Sequence, residues 1–198
     1  GGGLTAIGDD CLKANTSGTN NTGLGNHAME FTTTGSQNTA VGMSALVDNS
    51  TGDSNTAIGQ FALGDNTTAS NNTAVGRQAL RLNTTGANNT AVGSLALDAA
   101  TTATNNTAVG KSSQSATTTG GENTSVGMNS MLANTTGEDN VAMGYNTLDA
   151  NTTGNRNTGL GKGALSDNVS GDDNTAVGRN ALTANTTAAG NTAVGSYS

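Results

Sequence analysis

Every seventeenth residue the chain returns to an aliphatic side chain followed by glycine. The aliphatic row is Ile7, Leu24, Val41, Ile58, Val75, Val92, Val109, Val126, Met143, Leu160, Val177 and Val194, and twelve such phrases follow one another without an insertion or deletion. The residue before each is small, as in Ala40, Ala57, Ala74, Ala91, Ala108, Ser125 and Gly159, and the residue before that is Thr, with Val141 the one exception after Thr5. Branched, small, branched is the alternation of a β-strand, in which neighbouring side chains point to opposite faces. Large rows are expected to face a core, which makes Val41, Ile58, Val75, Val92, Val109 and Val126 a predicted core column. The small row is then expected to face away. Because it admits no Lys, Glu or Gln, Ala40, Ala57, Ala74, Ala91 and Ala108 are predicted to pack closely against another chain.

A second strand is predicted three and four residues after the glycine. A small row that includes Cys11, Ala28, Ala45, Ala62, Ala79 and Ala96 stands beside a large row with Leu46, Leu63, Leu80 and Leu97, which joins the predicted core. The stretch is too short for a helix and is bounded by Gly and by Asn-Thr-Thr-Gly corners such as Asn83 to Gly86. Gly or Asn is expected to supply positive φ at those corners. One unit departs from the pattern: Lys111 to Thr119 places Gln114 in the leucine row, and a looser coil is expected there. Asn begins each strand phrase from Asn21 to Asn191, either as a turn former or as a ladder of amides stacked at strand spacing.

A strict short period means one supersecondary unit stacked on its own copies. The predicted fold is therefore all-β, a parallel β-solenoid or β-roll with one 17-residue coil per repeat and two short strands per coil. Residues 1–198 form a single array of about eleven to twelve coils, expected to be a segment of a longer fibre protein. Composition agrees only once periodicity is known: Leu, Ile, Val and Phe make up roughly one residue in seven, and the chain has no Pro, no Trp and 29 Gly. So little apolar volume cannot build a globular core. Backbone ladders between coils and lateral association are expected to contribute, with a homotrimer as the simplest closed arrangement.

The phrase Asn-Thr-Ala-Val-Gly, and Asn140 to Gly144 as Asn-Val-Ala-Met-Gly, resembles the Ser-Val-Ala-Ile-Gly repeat of YadA-like heads in trimeric autotransporter adhesins. Asn72 to Gly86 is similar to repeat tracts of phage tail-fibre-like proteins. The resemblance implies a left-handed, homotrimeric roll, and the period of 17 exceeds that of the adhesin repeats. It also implies a structural fibre or stalk on an extracellular or virion-attached filament that supports surface attachment, with end-to-end continuation of the filament and a cell-surface receptor engaged by a part outside this chain.

Candidate chemistry is sparse. His27 is the only histidine and Cys11 the only cysteine, so no Cys/His metal cluster or nucleophile pair and no Ser/His/Asp triad can be assembled, and neither enzyme activity nor a cofactor is predicted. A net charge of -7 with two Phe and two Tyr argues against nucleic acid, and no apolar run is long enough to cross a membrane. Asn15, Asn49, Asn66, Asn83, Asn134, Asn151, Asn168 and Asn185 each open an Asn-x-Ser/Thr triplet at the same corner and are candidate glycosylation sites. Two alternative functions follow from the same rows. Corner threonines such as Thr16, Thr33, Thr67, Thr84, Thr101, Thr118 and Thr135 suggest an ice-binding array, and a polysaccharide-binding fibre is the other.

Overall fold

The computed structural model describes residues 2–198 as an all-β parallel solenoid of about eleven coils. Its strands are Thr5–Ile7, Thr22–Leu24, Thr39–Val41, Thr56–Ile58, Thr73–Val75, Thr90–Val92, Thr107–Val109, Thr124–Val126, Val141–Met143, Thr158–Leu160, Thr175–Val177 and Thr192–Val194, numbered β1 to β12. All twelve lie in one parallel sheet in chain order. Register is constant: between β5 and β6, Thr73 faces Thr90, Ala74 faces Ala91 and Val75 faces Val92. A period without insertions makes this inevitable, since a slip of one residue would turn every side chain to the wrong face.

The strand alternation has the expected period and the opposite phase. Ala40, Ala57, Ala74, Ala91 and Ala108 are fully buried inside the coil, whereas Ile58 is 40% and Val126 39% exposed, and Val41, Val75 and Val109 are half-buried on the outer face. The predicted core column of Val41, Ile58, Val75, Val92, Val109 and Val126 is therefore corrected to an outward row, and the alanines predicted to meet another chain are interior. Leu46, Leu63, Leu80 and Leu97 are fully buried, as their row predicts.

Coil width explains the inversion. The leucine row and its alanine neighbours fill the interior from the side opposite the strand, which leaves space only for a methyl group. A Cβ built on Gly23 would lie 2.5 Å from Cys11 Sγ and 3.4 Å from Met29 Cε, and one on Gly159 would lie 2.7 Å from Thr147 Cγ2. The two small rows thus share one fixed volume across twelve residues of chain. Ala45 is matched with Ala57 and Ala79 with Ala91, but the larger Cys11 and Thr147 are matched with Gly23 and Gly159. Close packing of this kind is sensitive to a single methylene.

The second predicted strand is absent, because the Ala-Leu stretch is a pair of tight turns. Ser44 and Leu46 both have φ of 53°, Ala45 N donates to Gly42 O at 3.3 Å and Asn49 N to Leu46 O at 3.4 Å. Bonding to the next coil nevertheless continues through the turn, as Leu46 N donates to Ala62 O at 2.9 Å. A left-handed conformation costs a leucine about 1–2 kcal/mol, which complete burial of its side chain, worth about 1.5–3 kcal/mol, offsets.

Only one glycine row is conformationally required. Gly76 has φ of 134°, and a Cβ there would lie 2.6 Å from the carbonyl carbon of Gly93 on the next coil. The corner row behaves differently from expectation: Gly52 and Gly86 lack positive φ, and although a Cβ on either would also press on the carbonyl oxygen of the next coil, Ala69, Ala103 and Ala188 occupy the same row. Positive φ falls instead two residues later, at Ser54, Asn71, Asn88 and Asn105.

Candidate functional site

Two columns of buried asparagine run along the axis. In the first, each backbone N–H is donated to the side-chain oxygen of the Asn one coil earlier: Asn72 to Asn55 at 3.0 Å, Asn89 to Asn72 at 2.9 Å, Asn106 to Asn89 at 3.0 Å. The amide nitrogen of each also donates to a corner carbonyl, as Asn89 Nδ2 does to Ala103 O at 2.8 Å. The series is unbroken from Asn38 to Asn191. Of the two expected roles the ladder is the one observed, and the turn conformation of positive φ falls on the preceding residue, as at Asn71 and Asn88. Buried amides are expensive unless satisfied, so these columns tie each coil to its neighbours.

The second column holds the candidate glycosylation sites, and here the sequence reading is corrected. Asn49, Asn66, Asn83, Asn134, Asn151 and Asn168 are fully buried. Asn66 Nδ2 donates to Asn49 Oδ1 at 2.8 Å and Asn83 Nδ2 to Asn66 Oδ1 at 2.9 Å, and Asn134, Asn151 and Asn168 spend the same atom on Gly137 O, Gly154 O and Gly171 O. Asn15 and Asn185, less buried, bond Gly18 O and Ala188 O. The nitrogen a glycan would modify is committed at all eight positions.

The outer face of the sheet is a uniform surface. It presents one Thr row and one aliphatic row, with no charged residue in either among β1 to β12. At strand spacing of about 4.8 Å, eleven steps carry this stripe over roughly 50 Å. Its threonines differ from those at the corners. Thr33, Thr67, Thr84, Thr101, Thr118 and Thr135 donate their hydroxyls to carbonyls of the next coil, for example Thr84 Oγ1 to Thr101 O at 3.0 Å. The corner array of the ice-binding reading is therefore internally bonded. Strand residues Thr39, Thr56, Thr73, Thr90 and Thr107 are half-buried and turn the same face as the aliphatic row outward.

Asp10, Lys13, His27 and Glu30 form one cluster of titratable groups. Asp10 and His27 stand in one column on adjacent coils, and Lys13 and Glu30 in a second column three residues away. His27 Nδ1 lies 2.7 Å from Glu30 Oε2 and 4.0 Å from Asp10 Oδ2, and Lys13 Nζ lies 3.1 Å from Asp10 Oδ2. Reasoning from motifs missed this group because its members are scattered in sequence; the period of 17 was the signal, since it places residues 10 and 27, and 13 and 30, side by side. Elsewhere, burial pushes the Asp98 and Asp149 carboxyls above the ordinary range, and one oxygen of each is enclosed without a hydrogen-bond partner. Cys11 is a free, half-buried thiol whose pKa is raised by the same desolvation. Arg156 holds Asp173 low through a bond of 2.7 Å from Nε on the exposed surface.

No family model, no curated protein and no solved structure matches the chain.

Proposed function

We propose that this chain is the shaft of a structural fibre, a homotrimeric stalk of an extracellular or virion-attached filament that holds a surface-attachment part at a distance. One observation carries the reading: an uncharged Thr and aliphatic stripe runs the whole length of the described sheet in constant register, on the outside. Aliphatic positions repeated along a sheet face without an interspersed charge are the kind of surface that marks an interaction site. Identical copies supply a stripe of the same length, pitch and chemistry, so association buries every aliphatic position at once. Lateral docking is thus assigned to Val41, Ile58, Val75, Val92, Val109 and Val126 rather than to the alanine row. Analytical ultracentrifugation or mass photometry of the chain is the test. Particles of three chains are expected, and conversion to smaller species on placing Lys at Val75 and Val109; a monodisperse monomer at tens of micromolar overturns the proposal.

A second reading rests on the strand threonines. A lattice of hydroxyls and methyls repeating at the strand spacing is a surface on which ordered water can assemble, and an ice-binding solenoid would use Thr39 to Thr107 rather than the corner row. Thermal hysteresis separates the two readings: freezing-point depression by a monomer, lost on Thr73→Lys, supports ice binding, and its absence removes that reading.

A further inference from the structure

We propose that Asp10, His27 and Glu30 form a three-ligand site for a divalent transition-metal ion of the Zn²⁺ class.

The donor set is one imidazole and two carboxylates, and one ligand atom from each lies within 4.8 Å of the others. A tetrahedral ion with bonds of about 2.0–2.1 Å places its ligand atoms roughly 3.3 Å apart, with water in the fourth position. The separations of His27 Nδ1 from Glu30 Oε2, 2.7 Å, and from Asp10 Oδ2, 4.0 Å, lie on either side of that value. Small rotations of three side chains close the site.

The scaffold beneath those side chains is fixed by the coil ladder. His27 N donates to Asp9 O at 2.9 Å, Ala14 N to Glu30 O at 2.9 Å, and Asp10 and His27 share the same left-handed turn position, with φ of 53° and 56°. Ligands one above another on adjacent coils therefore keep their spacing whether or not an ion is present. The rest of these columns shows no such constraint: the Asp10 and His27 column continues as Ser44, Phe61, Gln78 and Leu95, and the Glu30 column as Val47, Gly64 and Arg81.

Charge favours a cation. Asp10 and Glu30 share a single Lys13, whose side chain is 59% exposed and whose ammonium is 3.1 Å from Asp10 and 3.9 Å from Glu30. Glu30 itself is 13% exposed and has the His27 ring as its close partner. A carboxylate so placed is better compensated by an ion bonded to it than by an imidazole and an ammonium 3.9 Å away. Lys13 can leave for solvent when the ion enters, because its long side chain already lies at the surface.

Isothermal titration of the chelator-treated chain with Zn²⁺ tests the site, with circular dichroism to verify that each variant keeps the fold. One ion per chain is expected. His27→Ala and Glu30→Gln should each weaken binding by roughly tenfold or more, and Lys13→Met should bind at least as tightly as the parent, because it removes the competing internal cation. Co²⁺ should give the visible absorption of a four-coordinate site, lost in His27→Ala. No saturable binding at millimolar Zn²⁺, binding unchanged in His27→Ala, or weaker binding by Lys13→Met would each overturn the proposal and leave an ion-pair cluster.

Discussion

The coils around Leu80 and Leu97 and the coil of Gln114 solve the same packing problem with opposite chemistry. In the first, leucines stack on buried alanines, and the apolar interior runs continuously from Leu12 to Ala108. In the second, Gln114 is equally buried and keeps the same left-handed φ of 52°, yet its Nε2 donates to Thr107 O at 3.1 Å and to Ser125 Oγ at 2.8 Å, while Ser113 and Ser125 share a short hydrogen bond. Apolar packing resumes only at Met131. The backbone does not register the change: Gln114 N donates to Ser130 O at 2.9 Å, as Leu80 N does to Ala96 O. A coil predicted to be looser is instead in register with a polar plug. The ladder sets the geometry, and the interior needs only to fill it and to satisfy itself.

The most damaging change should be one that both regions feel alike. Gly93 has φ of 141°, and a Cβ there would meet the carbonyl carbon of Gly110 at 2.6 Å, so Gly93→Ala is expected to cost about 4 kcal/mol or more by denaturant unfolding. Gly86→Ala carries no φ penalty, since its row already holds Ala69 and Ala103, but its Cβ would press on the Ala103 carbonyl of the next coil, so it should cost about 1–3 kcal/mol, less than Gly93→Ala. Equal losses at the two positions would contradict the distinction drawn between the glycine rows.

Next in size is transplantation of the polar plug. Leu80→Gln loses the leucine packing and faces Ala91, which offers no hydroxyl; Thr73 O can take the place of Thr107 O, but the remaining amide groups stay unpaired, and a loss of about 3–5 kcal/mol is expected. The reverse exchange is gentler. Gln114→Leu combined with Ser113→Ala and Ser125→Ala removes the plug and the unpartnered Gln114 Oε1 together, and should gain about 1–3 kcal/mol. Gln114→Leu alone should gain less, since the serine pair remains. A triple variant less stable than the parent would show that the plug is favourable rather than merely tolerated.

The smallest expected effect is electrostatic. Burial raises the folded pKa of Asp98 and Asp149 above that of the unfolded chain, so the native state binds more protons between the two values and these groups lower stability as pH rises through that window. Asp98→Asn should accordingly raise the melting temperature at neutral pH, with the difference fading as pH falls below the ordinary carboxylate range. A difference that grows on acidification would reverse the assigned sign. Intact mass offers a further check on the buried amide column: native material should weigh 19.3 kDa for this stretch, without glycan.

Period, parallel stacking, register and the leucine row were legible in the sequence, because identical units spaced by 17 residues can pair only with their own equivalents. Strand alternation was legible too, but not its phase. Hydrophobicity ranks Val above Ala and so turns Val inward, whereas the width of the coil admits only Ala opposite Leu. The correcting signal lay in residues twelve apart, Cys11 with Gly23 and Thr147 with Gly159, whose volumes compensate, and it acquires meaning only when the two rows are known to face each other. The candidate metal cluster has the same character. The constant period alone determined which residues share a column; tertiary structure decided which side of each column is inside, because that depends on the volume two opposing walls leave between them and not on the preference of any residue alone.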